Sequence, residues 1–453
     1  MKFFHNVTAK IAPAFSSKAA LKSTALQNKA PERTEKKVRS FRFFAAGLVL
    51  AAVSGLLGLC ARTVPGFAQF YSVAVYPLLA GTLGRLCSLF PFSLSEIGLY
   101  SLCLFCICYM ILHIRQPVVV FSRAFFLCCV LLFVFTINCG INYYRNPFSY
   151  EAGIAAEKTS TEELLALCRY LTNQINSSLT EIDHSGEILD GLYPGQTEAT
   201  PAPSARDLSK LGRDGRAAMV RLGQSYPQLE GYYPYPKPLI NSRLLSVQQL
   251  CGIYSPFTIE ANYNREMPYY NIPHTICHEL SHLKGFMRED EANFIGYLAC
   301  IGSDSPDFRY SGYLTGWVYA GNALARVDPE SYYDLYTKLS PQAAQDLAWN
   351  NQFWERFEGP VAEASTQMND RYLKAHSQED GVRSYGRMVD LMLAYYKDQI
   401  LPFRLYAVLP SQSPYFLLVV HHQCLHPVQM VVHGFIGALA IHIQDVFIYL
   451  CMV

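Results

Sequence analysis

Three uncharged stretches, Phe43 to Ala61, Gly98 to Ile114 and Ala124 to Ile141, constrain this chain more than any other feature it has. Each is about the length a helix needs to cross hydrocarbon. In lipid no water is present to pair with a peptide group, so each run has to satisfy its own N–H and C=O groups as helix. The stretch between the first two, Val64 to Phe92, is apolar but interrupted by Pro65, Pro77, Arg85 and Pro91. That pattern predicts a helix lying in the membrane interface rather than another crossing. Residues 1–42 carry ten Lys or Arg against two Glu, and Arg115 and Arg123 bracket the turn between the second and third spans. The positive-inside bias puts both on the cytoplasmic face, so three crossings deliver residue 142 onward to the extracytoplasmic side. The expectation is a multi-pass protein of the cell membrane, with the lipid bilayer as its first partner.

Beyond the spans the composition becomes ordinary. A formal net charge of +1 gives no case for binding nucleic acid. Ser160-Thr161-Glu162-Glu163 has the spacing of a capping box and predicts a helix to about Ser177. A second helix is expected from Ala205 to Gln224. The run Cys251 to Asn264 alternates Phe257, Ile259, Ala261 and Tyr263 and reads as a strand. Helices are expected over Tyr310 to Val327, Pro329 to Leu339, Pro341 to His376 with a break at Gly359-Pro360, and Val382 to Lys397. From Leu401 to Val453 only Arg404 and Asp445 are charged, and Val428 to Leu450 is a candidate fourth span. The four parts are a basic cytoplasmic tail (1–42), a membrane region with three transmembrane helices and an interfacial helix (43–141), a folded domain (142–400) and an apolar tail (401–453).

Most of the fourteen cysteines fall in the membrane segments. Cys103, Cys106 and Cys108 have a spacing used for metals, but inside an apolar helix they read as packing. His421, His422 and His426 stand too close together to share one ion.

The chemistry is concentrated at His278-Glu279-Leu280-Ser281-His282. On a helix, residues four apart lie one above the other, so both imidazoles can hold one zinc ion while Glu279 stands beside a metal-bound water as a base. Catalytic zinc takes three protein ligands and keeps one open position. Gly285 is a plausible helix stop, and a second helix opening near Arg288 brings in Glu289, the expected third ligand, with Glu291 on another face as the alternative. Arg288 stands where a metzincin would have its third histidine. Ala292 and Gly296 share a face with Glu289 and would let the helices approach, and Asn293 would hold the outward nitrogen of a ligand histidine. Ala261 and Asn262 are the expected edge-strand contacts for an extended substrate. A developing oxyanion needs a second electrophile, and Tyr385 or Arg387 is the expectation, with Tyr310, Tyr313 and His376 as rivals.

H-E-x-x-H followed by E-x-x-A-N resembles the gluzincin metallopeptidases. More closely, Ser255-Pro256-Phe257-Thr258-Ile259-Glu260-Ala261-Asn262, His274 to His282, Glu289 to Phe294 and Tyr385 to Leu391 resemble an uncharacterised bacterial membrane family, domain of unknown function 3810. The similarity covers roughly residues 42 to 397. The resemblance implies an α+β, mostly helical fold in which membrane helices precede a zincin-like domain, and it brings no substrate. The functional expectation is a membrane-anchored zinc metallopeptidase acting on a peptide or protein. The alternative is a non-catalytic sensor or scaffold that binds a peptide or cell-envelope ligand. An intramembrane protease is excluded by Arg265, Glu266, Lys284, Arg288, Glu289 and Asp290 around the motif, since such charge is costly at bilayer depth.

Overall fold

The computed structural model describes residues 35–156, 160–185, 205–375 and 387–400. Tyr385, His376, the histidines of 421–426 and the apolar tail lie outside the described residues. Among the described residues three helices are long and apolar enough to cross a membrane: α1 (Glu35–Thr63), α3 (Leu94–Leu112) and α4 (Pro117–Asn138). They start earlier than the uncharged runs because a helix continues through flanking polar residues, and Pro117 is tolerated in the first turn of α4.

The chain divides into two compact units. The smaller contains residues 35–53 and 101–133, where aromatic rings from α1 and α4 interlock. Phe44 and Phe125 have centroids 4.7 Å apart, and Phe43 meets Phe126 edge-on at 5.4 Å. Gly47 permits this closeness, since a Cβ there would stand 2.9 Å from the Phe125 ring.

The larger unit contains residues 54–100 and 134–400. The stretch between the first two long apolar helices is helical over residues 67–87 (α2), where α-helical turns alternate with two wider π-turns, Tyr71–Val75 and Ala80–Gly84. After α4 come a 3-10 turn, Gly140–Tyr144, and a short helix α5 (Phe148–Glu151). Helix α6 (Thr161–Ser185) opens on both halves of the capping box: Glu163 N–H donates to Ser160 Oγ (3.2 Å) and Ser160 N–H to Glu163 Oε2 (2.8 Å). Helix α7 (Ala205–Ser225), strand β1 (Lys237–Pro238), helix α8 (Arg243–Val247) and strands β2 (Gly252–Ser255) and β3 (Glu260–Tyr263) follow. The rest is helical: α9 (Asn271–Leu283), α10 (Glu289–Ile301), α11 (Pro306–Val327), α12 (Pro329–Tyr336), α13 (Pro341–Glu355), α14 (Pro360–Ala375) and α15 (Arg387–Ile400).

The single strand expected over 251–264 is a hairpin. Pro256 cannot donate to a sheet ladder, and Ile259 adopts φ 51°, so the alternation of apolar residues ran across a turn. β3 is the middle strand, parallel to β1 and antiparallel to β2. Ala261 and Asn262 therefore lie on a strand paired on both sides; the edges of the sheet are β1 and β2, and β2 is the one that lines the cleft.

One apolar core joins α6, α7, α9, α10, α11 and α15, with Leu171, Ile276, Phe294, Tyr297, Phe308 and Met392 among its buried members. The boundary at residue 142 is not a packing boundary. The ends of the spans are bonded to the sheet: Glu96 accepts from the amides of Ile240 and Asn241, both at 2.8 Å. Glu260 accepts from Ser95 N–H (2.8 Å) and Leu94 N–H (3.2 Å), capping the start of α3.

Candidate metal centre

Helix α9 carries His274, His278 and His282 along one face at four-residue spacing. It ends where Gly285 takes φ 86°, with Gly285 N–H donating to His282 O (2.8 Å) and Phe286 N–H reaching back to Ser281 O (3.3 Å). That left-handed residue turns the chain sharply. Arg145, from the segment just after α4, secures the turn by donating to Lys284 O (3.0 Å) and stacking over the Phe286 ring. Helix α10 then starts at Glu289, one turn away from the histidines.

The donor atoms converge. His278 Nε2 and His282 Nε2 are 3.0 Å apart, Glu289 Oε2 is 3.3 Å from the first and Glu289 Oε1 is 3.6 Å from the second. Zinc bonds of ~2.0–2.2 Å at tetrahedral angles place donor atoms ~3.3 Å apart. The three residues therefore fit one such ion, and they form the one His/Cys/Asp/Glu cluster found with ligand spacing among the described residues. His282 Nδ1–H donates to Phe286 O (2.8 Å), which leaves its Nε2 lone pair aimed at the other two donors. Burial and the neighbouring His278 pull the His282 pKa down to about 4, favouring the neutral ring a metal requires. Burial opposes protonation of His278 as well, but Glu289, Glu279 and Asn293 outweigh it and its pKa is raised.

Asn293 lies beside His278, and Gly296 lets the helices meet: a Cβ there would stand 3.2 Å from His278 N and 3.3 Å from His274 Nε2. Glu291 is elsewhere. Its carboxylate caps α5, accepting from Ser149 Oγ (2.7 Å) and Ser149 N–H (2.9 Å). Arg387 pairs with Asp290 (3.3 Å), Tyr310 donates to the buried Asp346, and Tyr313 packs on Tyr170 and Tyr297. None of these three reaches the centre.

Glu279 is buried at the floor of a cleft of about 540 Å³ that also exposes His278, His282 and Glu289. Burial raises its pKa to about 8, opposed by His278 and by a hydrogen bond from the Tyr254 amide. Its Oε2 has no hydrogen-bond partner, so one carboxylate oxygen is held and the other is free to take a proton.

Residues 71–393 match the family described as a protein of unknown function, DUF3810. The chain belongs to this family. The match takes in the last two spans and every residue of the metal centre, and it begins later than the resemblance drawn from the motifs. No curated protein and no solved structure matches the chain.

Three further positions of this DUF3810 chain bear on the candidate site and were not singled out for it from the sequence. His274 Nε2–H donates to the Asn293 carbonyl (3.1 Å), tying the two ligand helices together, and burial drives its pKa down to about 3. Its place four residues before His278 was the available signal. Gly252 on β2 is needed because a Cβ there would stand 2.6 Å from Glu279 Oε1. Tyr319 of α11 lines the cleft; burial, Cys251 and the Glu289 carboxylate raise its pKa. No local pattern in the sequence marks either of these two.

Proposed function

We propose that this protein is a zinc-dependent peptidase anchored in the membrane. The observation that carries the reading is the convergence of His278, His282 and Glu289 around one point, with the free oxygen of Glu279 in the same cleft. Zinc held there would polarise a substrate carbonyl and lower the pKa of a bound water towards ~7. Glu279 takes a proton from the attacking water and delivers it to the departing amine nitrogen, so the C–N bond breaks to give an acid and an amine. Among the described tyrosines that line the cleft, Tyr319, beside the Glu289 carboxylate, is the one assigned to donate to the developing oxyanion, whereas Tyr310 and Tyr313 lie elsewhere; Tyr385 lies outside the described residues.

The substrate strand is assigned to the outer edge of β2. Asn264 N–H donates to Cys251 O (2.8 Å), which makes that a hydrogen-bonded pair. Antiparallel alternation then puts Ile253 opposite Asn262 in the next such pair and turns the peptide groups of Gly252 and Tyr254 outward. The Tyr254 amide goes to Glu279, and an extended peptide would add to the remaining groups. The chain's three spans and its Lys/Arg bias support an extracytoplasmic placement of the cleft.

Purified protein should contain one zinc per chain, cleave a mixed peptide library, lose both metal and activity to a chelator and regain both with added zinc. Zinc with no turnover on any peptide would favour the sensor reading instead; absence of zinc would end the peptidase reading. Gly252→Val should keep the metal but lower turnover by ~10²-fold or more, because displacing Glu279 by about 1 Å spoils its alignment. Steady-state rates beside zinc content check this.

A further inference from the structure

We propose that the cleft draws its substrate from the membrane surface, taking a polypeptide segment that lies immediately beside a bilayer anchor; the proposal rests on the peptidase reading above.

The cleft is built on the end of a span. Cys139 and Tyr143, the first and fifth residues after α4, are part of its wall. At a rise of ~2.0 Å per residue in a 3-10 turn, Tyr143 is within ~10 Å of the end of the helix. The cleft's edge strand is bonded to that same end: Asn138 Nδ2–H donates to Pro256 O (2.7 Å) and Tyr254 O–H to Asn138 O (3.2 Å). The headgroup layer outside the hydrocarbon is only ~5–8 Å deep on each side. The strand that would receive substrate therefore stands at headgroup level.

Helix α2 marks the same plane from the other side. Its Tyr76 is buried, with its hydroxyl 2.8 Å from the Tyr254 hydroxyl and 3.0 Å from Leu283 O at the end of helix α9, within reach of both. The opposite face leaves Phe70, Val73, Leu78 and Leu86 exposed, and Leu89 follows at 75% exposure. The one charged residue between Phe67 and Phe92 is Arg85, which is turned onto the Tyr232 ring. A water-facing surface does not keep such a patch bare. The occupant is the bilayer, because this unit also contains the ends of all three spans, at residues 54–63, 94–100 and 134–138. A substrate anchored in that bilayer is presented at high effective concentration, whereas a free peptide pays the full entropy of association.

The test uses the full chain in proteoliposomes, with Glu279→Gln preventing turnover and a photo-crosslinking phenylalanine at Ile253 on the cleft edge. The same label at Gln248, on the cleft rim, guards against a local packing defect at Ile253. Three probes carry one randomised peptide segment: free in solution, joined directly to a transmembrane helix, or joined to it through a Gly/Ser linker of about 40 residues with a reach of ~35 Å. The directly joined probe should crosslink at least about ten-fold more than the free one, with the long-linker probe between them. Equal capture of the free and directly joined probes, or no capture of the joined probe at either label, overturns the proposal. Cleavage is read separately in the unmodified chain. Selective capture without cleavage would remove the peptidase reading and leave the membrane-surface placement standing.

Discussion

Glu279→Gln should leave the zinc content unchanged and lower peptide turnover by about a thousand-fold, ~4 kcal/mol of transition-state stabilisation. The amide has nearly the shape of the carboxylate, keeps an oxygen to accept from the Tyr254 amide and makes no demand on the ligand set, which lies at His278, His282 and Glu289. What it lacks is a basic oxygen in the position of Oε2. The loss should appear in kcat more than in KM, since the proton moves only as the reaction proceeds. Zinc stoichiometry measured with single-turnover rates decides the matter: full activity in this variant removes Glu279 as the base, and loss of metal makes it a structural residue.

Lys237→Met should be among the most destabilising single changes outside the core. Lys237 and Glu260 form a salt bridge with both side chains about 95% buried, and Lys237 Nζ also donates to Cys87 O (2.8 Å). Removing the cation strands a buried carboxylate that has only the Leu94 and Ser95 amides left, at a cost of about 3–5 kcal/mol. For a domain of this size that lowers the melting temperature by roughly 10 °C. Adding Glu260→Gln removes the stranded charge and keeps one acceptor oxygen, enough for the shorter bond from the Ser95 amide but not for the Leu94 amide, which goes to the other carboxylate oxygen, so the double variant should recover part of the loss. Thermal unfolding of the two variants in detergent tests this, and a double variant no more stable than Lys237→Met would show that the unpaired charge is not the cause.

The parts of the site that were legible in the sequence are those whose geometry is local. His278, Glu279 and His282 share one helix, Gly285 announces the turn, and Glu289 needs only the first turn of the next helix to reach them. Even the contribution of Gly296 could be read, because it follows from helical spacing. What could not be read depends on pairings over long stretches of chain. The alternating run 251–264 looked like one strand until Pro256 and the left-handed Ile259 folded it into a hairpin and moved the free edge from Ala261 and Asn262 to Gly252. Gly252 matters only because Glu279 comes to rest against it, and Tyr319 enters from a helix that begins well after the motif. The bonds from Tyr76 and Asn138 to the cleft's edge strand likewise join segments more than a hundred residues apart.

The sharp turn at Gly285 has one more consequence. The three proposed ligands all lie between residues 278 and 289, so gathering them costs only the closure entropy of a very short loop. A nascent chain carries the complete chelating set once residue 289 has been added, before any of α11 to α15 has been synthesised. On the zinc reading proposed above, metal capture would need only the segment from α9 to the first turn of α10, and a bound ion would serve as a nucleus around which the later helices condense.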